Sequence, residues 1–200
     1  MLDELVQRVR DYRPRVLEGD QAFPEAAVLV PITRSDEPEL VLTLRASGLS
    51  THGGEVAFPG GRRDPEDRDL IHTALREAQE EVGLPPGLVE VIAPLSPLVS
   101  RYGIKVTPIV GIVPDFVEYQ PNDDEIAAVF SVPLAFFRED PREVTHRIDD
   151  HGTHWYVPSY RYGEFRIWGL TAIMIVELVN LLYDADIRLD QPPASFIKLG

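Results

Sequence analysis

The chain contains no cysteine. Disulfides, zinc–thiolate sites and thiol nucleophiles are therefore excluded. It is short of positive charge: 19 Lys and Arg stand against 33 Asp and Glu, a formal net charge of −14. That balance argues against nucleic-acid binding, which depends on neutralising phosphates with Lys and Arg. A small polyanionic ligand would need local help, from a metal or a basic cluster. Long apolar runs are lacking as well. Met1-Leu2-Asp3-Glu4-Leu5 is charged at once, unlike a secretory leader. The longest apolar stretch, Ile167 to Tyr183, carries Glu177 and Asn180 and is too short and polar for a comfortable membrane span. A cytoplasmic location and no membrane partner are the expectations. There is no internal repeat and no low-complexity segment. What remains is an ordinary globular composition, 44% hydrophobic and 26% charged over 200 residues, which suits one domain.

The most informative stretch is Arg76-Glu77-Ala78-Gln79-Glu80-Glu81-Val82-Gly83-Leu84. At about 100° per residue, Glu77, Glu80 and Glu81 share one arc of a helix. Ile71, Leu75, Ala78 and Val82 form the opposite, core-facing stripe. Like charges crowded on one face destabilise a helix. Arg76 can offset part of that, and a hard divalent cation can offset more, since Mg²⁺ and Ca²⁺ take oxygen ligands. A solvated acidic face fits the helix alone equally well.

The rest of the pattern frames this helix. Leu2 to Tyr12 has helical spacing, ended by Pro14. Residues 26–32 and 40–44 read as strands joined by a polar turn, and 55–58 as a short strand stopped by Pro59-Gly60-Gly61. The acidic helix is expected to start at Asp64, with Pro65 in first position, or later, near Asp69. Gly83 is expected to cap it before Pro85-Pro86. Strand-like runs follow at 89–95, 105–113 and 126–132. Residues 144–148 and 154–157 suggest a further pair, and Trp168 to Tyr183 a second long helix. The mixture predicts an α/β (α+β) sandwich: a mixed sheet flanked by helices. An N-terminal helix over about 1–13 and a C-terminal extension over about 184–200 complete it. Phe58-Pro59-Gly60-Gly61 lies just ahead of the acidic helix. Its glycines allow close backbone approach to a ligand and positive φ.

Taken together, these residues resemble the Nudix hydrolases, whose signature is Gly-x5-Glu-x7-Arg-Glu-apolar-x-Glu-Glu-x-Gly-apolar. Arg76 to Leu84 matches its second half throughout. In the first half the span from Gly61 to Arg76 is one residue longer, and Asp67 stands where the signature has Glu. Both departures resemble one branch, the coenzyme A pyrophosphatases. So do Leu42-Thr43-Leu44-Arg45, the stretch from His52 to Gly61, Thr73 to Ala78, and Ile167 to Ala172. The branch often carries basic residues where this chain has Ser50 and Thr51.

The resemblance implies a single Nudix domain that hydrolyses a nucleoside diphosphate linked to another group, with Mg²⁺ or Mn²⁺ as cofactor. The branch implies coenzyme A or its thioesters as substrate, and 3′,5′-ADP and 4′-phosphopantetheine (or its acyl form) as products. Glu77 and Glu81 are the expected metal ligands, joined by Glu80 and the Gly61 carbonyl. Glu80 is alternatively the holder of a water. Arg76 is expected to orient a carboxylate, Asp67 or Glu77. Glu125, in the acidic cluster Asn122-Asp123-Asp124-Glu125, is the candidate general base or a further ligand. Asp123 and Asp124 read equally well as an acidic turn. Phe58, Gly60, Arg45, Arg62 and Arg63 are the expected substrate contacts, with Arg68 a further candidate. His52 reads as structural, and Trp155, Tyr156, Tyr160 and Tyr162 as hairpin packing before base stacking. A homodimer is allowed, with the 168–183 helix suited to core or interface. ADP-ribose or NADH is the alternative substrate class, and a non-catalytic nucleotide-binding domain the alternative function.

Overall fold

A computed structural model of the chain describes residues 2–17, 23–48, 52–150 and 153–193. Helix α1 (Leu2–Asp11) precedes strands β1 (Glu25–Arg34), β2 (Glu39–Arg45), β3 (Val56–Ala57) and β4 (Gly60–Arg62). Helix α2 (Leu70–Val82) follows, then β5 (Glu90–Pro94), β6 (Leu98–Val99), β7 (Lys105–Pro114) and β8 (Ile126–Pro133). The chain continues through β9 (Arg142–Asp150), β10 (Thr153–Tyr162) and β11 (Phe165–Ile167) into α3 (Gly169–Tyr183).

The centre of the main sheet is β1 beside β7, paired in parallel from Glu25↔Lys105 to Arg34↔Pro114. All other pairings are antiparallel: β2 and β4 on β1, β5 and β6 on β7, β3 and β8 on β2. β1 and β7 are apolar with little alternation because helices cover both faces of the sheet. Ala27 and Leu29 point to one face, where Ala74, Ala78 and Val82 of α2 meet them. Val30 and Ile32 point to the other, towards Leu5 and Val9 of α1 and Ile175, Leu178 and Val179 of α3. The result is a helix–sheet–helix sandwich, as the sequence predicts.

Helix α3 is apolar on nearly every side, and it is a core element. Its polar residues Glu177 and Asn180 are used within the fold. Glu177 accepts a hydrogen bond from the Tyr12 hydroxyl at 2.5 Å, and Asn180 pairs with the backbone of Ile187. Among the described residues no helix is long and apolar enough to cross a membrane.

Strands β9 to β11 form a separate antiparallel sheet. Phe165 stacks on Phe130 of β8 at 3.7 Å and joins the two sheets. Tyr160 is fully buried, with its hydroxyl on Asp140 at 2.9 Å, and Tyr162 packs edge-on against Phe136. These tyrosines are hairpin packing.

One expectation changes. β3 ends ahead of Pro59 as expected, but Gly60 and Gly61 are not a turn; with Arg62 they form β4, which pairs with Val28, Ala27 and Ala26. Neither glycine has positive φ. A Cβ on Gly60 would lie 2.4 Å from the Ala27 carbonyl oxygen, and one on Gly61 2.5 Å from the Glu77 carboxylate carbon. The pair is there for close approach to β1 and α2. Of the two starts expected for α2, the later one holds. Asp69 is its N-cap, accepting from the His72 N–H at 2.7 Å, and residues 64–67 form a turn ahead of it. That turn brings Asp67 inward, a position it would not reach within a continuous helix from Asp64. Gly83 closes the helix in the left-handed region at φ 68°, as expected.

Candidate active site

Three segments converge on the acidic face of α2. β4 lies against it because its glycines have no side chains. The chain between β7 and β8 docks on its C-terminal end, where the Gln120 and Asn122 N–H groups donate to the Val82 and Glu81 carbonyls at 2.8 Å each. Those bonds satisfy carbonyls that a helix end leaves unpaired. They also set Glu125 at the mouth of β8, where its carbonyl accepts from the Ala46 N–H at 2.8 Å. Asp123 and Asp124 are exposed in the preceding turn, closed by the Asn122 side chain on the Asp124 N–H. The end of β2 supplies Arg45.

The three box carboxylates share an arc but not an environment. Glu81 is buried, at 2% exposure. Its Oε2 accepts from the Gly60 N–H and its Oε1 from Arg45 Nη1, each at 3.1 Å. Burial pushes its carboxyl up to about 7, against the pull of Gly60 and Arg45. Glu77 is half-buried and its carboxyl is also raised, first by burial, then by the charges of Glu80 and Glu125, with Arg76 opposing. Glu80 is exposed and reaches Arg76 Nη1 at 3.2 Å.

Arg76 is the hub. Its Nε and Nη2 grip Asp67 at 2.9 Å each, Nη1 reaches Glu77 at 3.0 Å, and Nη2 also donates to the Arg62 carbonyl at 3.1 Å. Asp67 is 3% exposed and further accepts from the Asp64 N–H, Thr73 Oγ1 and His72 Nδ1. The Arg76 guanidinium, first of all, holds the Asp67 carboxyl well below the usual carboxylate range.

The remaining candidates are distributed as follows. Arg62 is exposed, and its guanidinium has no partner among the described residues. Arg63 bonds Glu25 at 2.8 Å and the Asp67 and Arg68 carbonyls, and so braces the turn before α2. Arg68 is exposed beside Asp69. Phe58 is 3% exposed within the larger core, which corrects its expected role: the ring is packing. His52 bonds Glu55 and meets Tyr102 edge-on, a structural use. Ser50 and Thr51 lie outside the described residues. Sequence reasoning missed the Arg45–Glu81 pair and the docking of Gln120 and Asn122. The first joins residues 36 apart in sequence, and the second is made by backbone atoms alone.

As placed, no three Asp, Glu or His side chains among the described residues converge into a metal-holding group. Arg45 draws Glu81 to one side, and Arg76 draws Glu77 and Glu80 to another. The donor chemistry nevertheless suits a hard divalent cation. The cluster is all oxygen, and burial destabilises the charged forms of Glu81 and half-buried Glu77. Metal-free protein should record that strain. Glu81's folded pKa lies above its ordinary 4.5, so its contribution is fully present below pH 4.5 and is lost as pH rises through 7. The loss is about 3 kcal/mol. Chemical denaturation of chelator-treated protein at pH 4.5 and 7.5 checks it; equal or greater stability at 7.5 would contradict the burial argument.

A mixed sheet lies between helices, and a strand of glycines is pressed on a carboxylate-crowded helix. The chain belongs to the Nudix family: residues 23–158 match the NUDIX domain. It is 46% identical over 179 residues to a protein of Cronobacter sakazakii described as an uncharacterized Nudix hydrolase, NudL, covering 88% of this chain and 92% of that one. A Shigella sonnei protein of the same description is 42% identical over 184 residues, covering 89% and 93%. The fold matches the crystal structure of a Nudix hydrolase from Alicyclobacillus acidocaldarius, with TM-score 0.50 and 18% identity over 85% of this chain and 98% of that one. The protein is thus a hydrolase of nucleoside-diphosphate derivatives.

Proposed function

We propose that the protein cleaves the pyrophosphate bond of coenzyme A or its thioesters, giving 3′,5′-ADP and 4′-phosphopantetheine or its acyl form. One observation carries the reading. Arg45, from the stretch that resembles the coenzyme A branch, and the Gly60 N–H, from the Gly-Gly strand, meet on the two oxygens of a single helix carboxylate, Glu81. That contact between the branch-like stretch and the Nudix helix supports the reading.

Glu77 and Glu81 would hold Mg²⁺ or Mn²⁺, with Glu80 and the Gly61 carbonyl beside them. The cation, when bound, supplies charge neutralisation at the phosphate oxygens and a more acidic water. The chain's own groups do the rest. Arg76 keeps Glu77 and Glu80 in place from its anchor on Asp67. Arg45 and Arg62 bring positive charge to the phosphates. Glu125 is the group we assign to accept the proton of the attacking water. The water oxygen bonds to one phosphorus, and the bridging oxygen departs with the electrons of the broken P–O bond.

A second reading keeps the chemistry and takes ADP-ribose or NADH, favoured by Ser50 and Thr51 in place of basic residues. The test is a product assay with Mg²⁺ or Mn²⁺ on coenzyme A, ADP-ribose, NADH and dinucleoside polyphosphates. Coenzyme A is expected to turn over fastest and to release 3′,5′-ADP. Fast turnover of another compound with coenzyme A untouched would overturn the reading.

A further inference from the structure

Arg45 holds Glu81 by a single bond, Nη1 to Oε1 at 3.1 Å. Its Nε is buried and has no acceptor, the one buried side-chain nitrogen or oxygen left so among the described residues. A buried donor without an acceptor is costly, so this seat does not satisfy the guanidinium. Arg76 shows the contrast. Its Nε, Nη1 and Nη2 all have partners, as a permanent ion pair requires.

The backbone of Arg45 is pinned, while its side chain is not. Its N–H donates to the Glu55 carbonyl at 2.9 Å, and its carbonyl accepts from the Gly54 N–H at 3.0 Å. Movement is confined to the side chain, which is 23% exposed and so borders both solvent and Glu81. Glu81 has a second anchor that does not depend on Arg45, the Gly60 N–H on Oε2. Glu77 lies over the next residue, Gly61, where an added Cβ would fall 2.5 Å from its carboxylate carbon. Two carboxylates of α2 thus stand over neighbouring residues of β4, and Arg45 is the positive charge already seated on one of them. A guanidinium on Oε1 takes up a lone pair and sets like charge in the path of any second cation. Were Arg45 to leave, Glu81 would keep Gly60 and regain Oε1. A phosphate oxygen is the acceptor that would draw it away, since it can meet Nε and an Nη together.

We propose that Arg45 is an exchangeable counter-ion of Glu81: it competes with the divalent cation for Oε1, and it gives that oxygen up when a substrate phosphate meets its Nε. Cation and substrate then favour each other's binding by the same factor. This rests on the acidic face of α2 being a cation site, and it is independent of which nucleotide derivative is cleaved.

The test is Mn²⁺ titration followed by electron paramagnetic resonance, at pH 8.5 to keep proton competition small, on wild type, Arg45→Gln and Arg45→Lys. Each protein is first checked for a cooperative melting curve, with Arg45→Met as a second neutral replacement. Arg45→Gln is expected to bind Mn²⁺ about tenfold tighter than wild type, the equivalent of one charge-assisted bond no longer displaced. Arg45→Lys, still a cation, should stay near wild type. In the Glu81→Gln background the same Arg45→Gln change should bring no gain, because the competition is for that carboxylate. Equal or weaker Mn²⁺ binding by Arg45→Gln, the result for an arginine that merely orients a metal ligand, would overturn the proposal. So would an equal gain in the Glu81→Gln background. In turnover, Arg45→Gln should reach its half-maximal rate at lower Mn²⁺ and show a raised KM; an unchanged KM would overturn the exchange with phosphate. If neither wild type nor Arg45→Gln binds Mn²⁺, the cation reading itself fails. If wild type binds it and Arg45→Gln binds it no tighter, the cation site stands and the exchange fails.

Discussion

Arg76→Ala is expected to lower the melting temperature by about 10 °C. The mutation removes both guanidinium bonds to Asp67, a carboxylate that is 3% exposed, and frees Glu77, Glu80 and the Arg62 carbonyl as well. Breaking a buried pair from one side costs roughly 3–5 kcal/mol, because the remaining charge stays buried without its partner. In a chain of this size each kcal/mol moves the midpoint by about 2–4 °C. Arg76→Lys should not recover the loss, since one ammonium cannot grip Asp67 and reach Glu77 and Glu80 together. Adding Asp67→Asn to Arg76→Ala should recover part of it, because the stranded charge is then gone. A melting temperature within about 2 °C of wild type for Arg76→Ala would show that the hub does not hold the site.

The largest effect on activity is expected at Glu81. Glu81→Gln should reduce kcat by roughly a thousandfold, the scale seen when a group aligned on the developing charge is lost. The fold should survive. An amide at this position keeps one acceptor for Gly60 or Arg45 and leaves the other donor unpaired, which costs about 1–3 kcal/mol. The variant should also lose the decline in metal-free stability between pH 4.5 and 7 that burial of the wild-type carboxyl causes. Near-normal turnover, measured by product release on whichever substrate the wild type prefers, would remove Glu81 from the chemistry.

Much of this was legible in the sequence where the signal is local. Periodicity placed Ala78 and Val82 on the core face of α2, and Gly83 marked its end. Apolar runs marked β1, β2, β7 and β8, and the 144–148 and 154–157 runs marked the β9–β10 pair. The parts that were not legible depend on contacts between distant segments. A helical wheel puts Glu77, Glu80 and Glu81 on one arc, yet Glu81 is buried against the Gly60 N–H and Arg45 while Glu80 is exposed. The sequence allows α2 to start at Asp64 or near Asp69, and the bonds of Asp67 to Arg76, made across nine residues, go with the later start. Phe58 sits in a motif beside the site, but strand alternation turns its ring into the core.

The claim at the centre is that the acidic face of α2 is a cation site. Mn²⁺ titration followed by electron paramagnetic resonance, on wild type and on Glu81→Gln, tests it without depending on substrate. The account predicts saturable Mn²⁺ binding by wild type and an affinity weakened by about a hundredfold or more in Glu81→Gln. Equal Mn²⁺ affinity in the two proteins, or none in the wild type, would contradict it.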